Sequence, residues 1–169
     1  MEYLLSVILV FLLLAIIYQD FRYRAVSWYI FPLAAMVLII QILIRNENEW
    51  LYVLINTALI STQLIILSCW YFIREKRIFN IINNKIGLAD VLLFYVFALA
   101  FFPVTYILFI SGSFIFSLLL HSLLSNHLKN RSKIPLAAYM AIFYFILQSL
   151  FYIKGIDPFD DIMEIALNN

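Results

Sequence analysis

Two aspartates stand apart from the other acidic residues of this sequence. Most of the ten acidic residues fall in polar stretches or near the C-terminus, whereas Asp20 and Asp90 abut long apolar runs. Asp20 follows the first run, in Tyr18-Gln19-Asp20-Phe21-Arg22-Tyr23-Arg24. Asp90 opens the fourth, in Lys85-Ile86-Gly87-Leu88-Ala89-Asp90-Val91. Ionisable groups at membrane depth are costly and tend to mark functional positions. Two carboxylates brought face to face can share one proton, because two close anions do not both ionise. One can then take a proton from water while the other gives one to a peptide carbonyl oxygen. Such acid–base hydrolysis needs no metal and no nucleophilic side chain. The separation of 70 residues carries no information alone, since helices bring distant positions together. Each aspartate also has a plainer reading. Asp20 can pair with Arg22 or Arg24, and Asp90 can be a helix-start carboxylate favoured by the helix dipole.

Other residues offer less chemistry. His121 and His127 are six apart, share no helix face and have no matching acidic partners, so no metal site or cofactor is expected. The single cysteine, Cys69, excludes an internal disulfide and a cysteine-built zinc site, and its apolar surroundings predict a small buried core residue. Ser111-Gly112-Ser113 predicts close helix packing rather than a nucleophile. Asn80, Asn83 and Asn84 form a polar loop before Asp90, read as solvated loop ahead of a movable flap. Gln63 and Gln148 are the obvious mid-span polar residues, too few to line a transport path. No basic run points to nucleic acid.

The elements that must position the aspartates follow from hydropathy. Apolar residues make up 66% of the 169 and charged ones 12%, which excludes an ordinary soluble domain. The apolar segments are 3–18, 28–44, 50–73, 88–102, 104–124 and 135–153. They lack the alternation of barrel strands, and backbone in lipid must bond internally, so all six are predicted to be helices. Six spans use about 120 residues, so the whole chain, 1–169, is expected to form a single membrane-embedded domain. The first run lacks a basic lead and a cleavage site and is expected to remain as the first helix. Pro103 predicts a tight hairpin between the fourth and fifth helices. With six spans, nine of the eleven lysines and arginines fall on one side, leaving Arg45 and Lys154 opposite. That side is expected to be cytoplasmic, with both termini outside. Asp20 and Asp90 then share the cytoplasmic end. A short amphipathic helix after Lys154 is an equal alternative to a frayed terminus.

Gly87-Leu88-Ala89-Asp90 resembles the Gly-x-Gly-Asp motif of intramembrane aspartic proteases, in particular the type IV prepilin peptidases and the related preflagellin peptidases. In that family a first aspartate follows a hydrophobic helix in a segment like Asp-x-Arg-x-Arg-x-Ile-Pro-Asn. Here Asp20-Phe21-Arg22-Tyr23-Arg24-Ala25-Val26 fits its first seven positions, while Ser27-Trp28 stands where Pro-Asn is common. A third, proline-containing segment is similar to Lys133-Ile134-Pro135-Leu136-Ala137-Ala138-Tyr139. Ala89 replaces the second glycine of the motif, and Leu92 stands where lysine is frequent. The resemblance implies an inner-membrane aspartic endopeptidase of the short form, lacking the cysteine-containing domain linked to N-methylation. It implies Asp20 and Asp90 as the catalytic pair, with Gly87 and Ala89 allowing close packing beside Asp90. It also implies a membrane-inserted prepilin-like substrate whose basic leader is cut near the cytoplasmic boundary. The basic loops suit orientation and contact with the lipid bilayer rather than the leader, which carries like charge. The alternative is a non-catalytic small multi-pass membrane protein, a degenerate relative or an assembly subunit.

Overall fold

A computed structural model describes residues 2–45, 50–75, 87–124 and 134–154. These residues are all-helical apart from short connections. The helices are α1 (Glu2–Tyr23), α2 (Ile30–Arg45), α3 (Trp50–Glu75), α4 (Leu88–Ala98), α5 (Pro103–Leu124) and α6 (Leu136–Lys154). The loop asparagines Asn80, Asn83 and Asn84, His127 and the segment after Lys154 lie outside the described residues.

The six expected apolar runs each carry one helix, with shifted ends. The first run was expected to stop at Tyr18, but α1 continues to Tyr23. Nothing in Gln19–Tyr23 breaks a helix, and Arg22 in the last turn suits the negative end of the dipole. Asp20 is therefore a helical residue. Helix α2 begins at Ile30 rather than Trp28 and carries Pro32 in its first turn, where the missing N–H costs no bond. Helix α4 is only 11 residues, roughly 16 Å long. It ends in a turn over 99–102, and Pro103 opens α5, so the expected hairpin is present.

Side-chain contacts give the helices alternating directions. Near one end of the bundle, Gln41 of α2 donates to Ser6 of α1 at 3.1 Å. Asn56, fully buried on α3, donates from Nδ2 to the carbonyls of Ala98 at 3.0 Å and Phe101 at 2.8 Å. The last carbonyls of a helix have no intrahelical partner. Asn56 thus satisfies the end of α4 from a neighbouring helix. The other end gathers the C-terminus of α1 and the N-termini of α4 and α6.

Between the ends, α1 presents Leu5, Leu9, Leu13 and Ile16 inward at helical spacing. Phe97, Phe101, Phe109 and Tyr144 form an aromatic cluster with ring centroids as close as 4.7 Å. Gly112 lets α6 approach α5, since a Cβ there would lie 2.9 Å from Cζ of Phe143. The packing expected of Ser111-Gly112-Ser113 is found here.

The outward faces are as apolar as the core. Phe11, Leu54, Ile65, Ile66, Leu118 and Leu119 are all more than 60% exposed. A helix apolar all round needs apolar surroundings on every side. Among the described residues, Tyr3–Tyr23, Trp50–Arg74 and Pro103–Leu123 are long and apolar enough to cross a membrane. The runs Ile30–Ile44, Leu88–Ala98 and Leu136–Phe151 are apolar but shorter. Cys69 corrects an expectation, for it is exposed on α3 rather than buried. Helix α3 packs through a narrow stripe, so most of its apolar residues face outward. Gln63 and Gln148 are also exposed and line no interior path.

Candidate active site

Asp20 lies one turn before the break that ends α1. The break is made by Arg24, whose φ of 54° is left-handed. Its N–H bonds back to the Asp20 carbonyl at 3.1 Å, a helix termination more often given to glycine. Holding an arginine there costs about 1–3 kcal/mol, a strain that the surrounding packing must sustain. The Asp20 side chain leaves the helix in another direction. It is 8% exposed, and its Oδ2 accepts the backbone N–H of Ala138 at 2.9 Å.

Asp90 is the third residue of α4, whose N-cap is Gly87. Its carboxylate turns back over Gly87, close to that residue's backbone N–H. The helix-start reading of Asp90 is therefore correct as far as it goes. The same carboxylate also meets the backbone N–H of Ala137, on another helix. A residue serving its own helix alone has no need of that second partner.

Both aspartates thus converge on the first turn of α6. Pro135 precedes that turn and Leu136 opens it. The first N–H groups of any helix lack intrahelical acceptors and carry the positive end of the dipole. Here two successive ones, Ala137 and Ala138, face the two carboxylates. Both alanines are fully buried, and their methyl side chains let the helix start come close. The charge that acts on Asp90 is that of Asp20, and the charge that acts on Asp20 is that of Arg24.

The ion-pair reading of Asp20 is not what forms. Arg22 bonds the Tyr18 hydroxyl and lies over the rings of Tyr18 and Tyr23, 5.6 and 5.4 Å from their centroids. Arg24 is near Asp20 without bridging it, and its Nη1 is buried with no hydrogen-bond partner.

Gly87 and Ala89 were expected to allow close packing beside Asp90. Gly87 is exposed, with ordinary φ and ψ of −65° and 138°. A Cβ on Gly87 would stand 2.8 Å from Oδ2 of Asp90 itself. The glycine makes room for its own aspartate rather than for another helix. Ala89 lies inside regular α4, where alanine needs no unusual backbone, so replacing the motif's second glycine costs nothing visible locally.

Sequence reasoning missed two neighbours. Tyr139 follows Ala138 and is fully buried, its ring edge-on to Phe21 at 5.5 Å. His121 of α5, considered only as a metal ligand, lies with its ring 6.3 Å from that of Tyr139. A tyrosine among apolar residues gives no signal, and His121 is brought there by the α5–α6 pairing alone.

Comparison with family models, curated proteins and solved structures returned no match for this chain.

Proposed function

We propose that this chain is a six-span membrane aspartic endopeptidase of prepilin-peptidase type, cutting membrane-inserted prepilin-like proteins at the cytoplasmic boundary. The observation that carries the reading is the convergence of Asp20 and Asp90 on the Ala137 and Ala138 amides. Three segments far apart in sequence resemble the family's motifs, and their described parts meet at one end of the bundle. Capping the free amides of α6 accounts for each contact singly; the peptidase reading adds a reason for two acids to be gathered there.

The chemistry follows from two carboxylates holding one proton between them. The ionised carboxylate takes a proton from water as the water oxygen attacks the peptide carbonyl carbon. The protonated one gives its proton to the carbonyl oxygen. Proton return to the nitrogen then accompanies cleavage of the C–N bond. The Ala137 and Ala138 amides hold both carboxylates in place through the cycle, so little reorganisation is needed.

The alternating helix directions and the side-biased lysines and arginines support six spans with both termini outside and Asp20 and Asp90 near the inner face. Leu92, where the family often has lysine, is partly buried against the core, so a lysine there would carry its stem along apolar surface.

The direct test is co-expression with a single-span reporter bearing a short basic leader before an apolar helix. The chain is expected to shorten the reporter at its leader junction, read by N-terminal sequencing of the product. An intact reporter beside correctly inserted protein contradicts the proposal and favours the non-catalytic alternative.

A further inference from the structure

Beside the two aspartates lies a set of buried polar atoms that the proposed mechanism does not use. Arg24 Nη1, the Tyr139 hydroxyl and His121 Nδ1 are each buried without a hydrogen-bond partner. Tyr139 as a whole is 0% exposed. Buried polar groups are nearly always paired, and each orphan costs stability. Three such atoms, one just past the end of α1 and the others on α5 and α6, ask for a ligand.

His121 and Tyr139 are in ring contact, and the charge of Arg24 acts on both Tyr139 and Asp20. The rings of His121 and Tyr139 are 6.3 Å apart. Tyr139 follows Ala138, whose N–H holds Asp20, and its ring packs on Phe21, the next residue after Asp20. Arg24 is tied to Asp20 through the backbone bond that ends α1. Its left-handed backbone, φ 54°, is a strained choice for arginine and sets where the side chain starts.

We propose that Arg24 and Tyr139 form a main-chain subsite that holds a carbonyl oxygen of an extended substrate peptide next to Asp20. The proposal rests on the peptidase reading and adds where the substrate backbone is gripped. Charge decides the ligand class. Arg24 contributes one positive charge, and two aspartates sharing one proton contribute one negative charge. The balance is neutral, so a phosphate or carboxylate would add an uncompensated buried charge. A peptide carbonyl is neutral and accepts from both donors. Within a membrane, helical carbonyls are already bonded, so only an unwound stretch offers one. The subsite therefore suits an extended stretch of substrate, such as the leader junction ahead of the apolar helix.

Tyr139→Phe is the informative variant, because it removes one oxygen and keeps the ring packed on Phe21 and His121. The oxygen bonds nothing in the protein, so thermal stability in detergent is expected to stay level or rise. Cleavage of the single-span reporter is expected to fall about tenfold or more. Arg24→Lys keeps the charge, loses the planar fork and is expected to lower cleavage similarly. Wild-type cleavage with Tyr139→Phe at the wild-type rate overturns the subsite and leaves the peptidase reading standing. A lower melting temperature with unchanged cleavage also overturns it, since the hydroxyl then bonds within the protein. No cleavage by the wild-type chain overturns the peptidase reading and the subsite together.

Discussion

Asp20 and Ala138 are joined by a 2.9 Å hydrogen bond, from the backbone N–H opening α6 to the carboxylate closing α1. The next amide back, that of Ala137, meets Asp90. A single helical turn therefore holds two acids from two other helices, and its position fixes the candidate site. Anything that shifts α6 along its axis moves both contacts together.

Gly87 supplies the first prediction. A methyl at this position meets Oδ2 of Asp90 at 2.8 Å, while the backbone there is one that alanine adopts freely. Gly87→Ala is expected to reduce reporter cleavage at least tenfold, with a stability change within roughly 1 kcal/mol. Parallel cleavage and thermal-denaturation measurements in detergent check it. Full activity would mean that the Asp90 carboxylate is not held where the structure has it.

The α5–α6 contact makes a second. Gly112→Leu places bulk where even a Cβ would lie 2.9 Å from Phe143, so stability is expected to fall by about 1–3 kcal/mol. Phe143→Leu in the same chain is expected to restore part of that loss. A double-mutant cycle measures the coupling, and independent, additive effects would contradict the contact.

Asn56 supplies the third. Its Nδ2 is bonded to two carbonyls at the end of α4, and the side chain is fully buried. Asn56→Leu is expected to cost about 1–3 kcal/mol, because both carbonyls are left without that partner. The melting temperature in detergent is the readout, and an unchanged value would show that the α4–α5 turn does not depend on this bond.

Much of this fold was legible because apolar runs of membrane length admit few structures. All six helices were expected from hydropathy, and the hairpin at Pro103 was expected from its missing N–H. The ends were less legible. No residue announces that α1 should continue to Tyr23, because its stop is a left-handed arginine rather than a glycine or proline. Burial of Cys69 was misread because, in a chain apolar on every face, hydrophobicity does not distinguish inside from outside. Asp20 and Asp90 were found by charge against an apolar background. The Ala137 and Ala138 amides that hold them are backbone groups and leave no trace in residue type. Gly87 was singled out from its motif, whereas what lies against it in the structure is the Asp90 side chain, whose reach sequence does not record.

Helix direction gives a fourth prediction. In a Cys69→Ser background, Arg22→Cys and Arg74→Cys are expected to react with a membrane-impermeant thiol reagent only from the cytoplasmic side. Trp50→Cys is expected to react only from the outer side. Labelling of the Trp50 and Arg74 positions from the same side would contradict α3 as a span and the six-span arrangement with it.

The central claim, that Asp20 and Asp90 act as one catalytic pair, is tested most directly by matched single substitutions. Asp20→Asn and Asp90→Asn keep shape and remove the ionisable group. Reporter cleavage by each variant, normalised to inserted protein, is the measurement. Both are expected to lose cleavage completely while inserting and melting like the wild-type chain. Cleavage that persists in either variant would contradict the account.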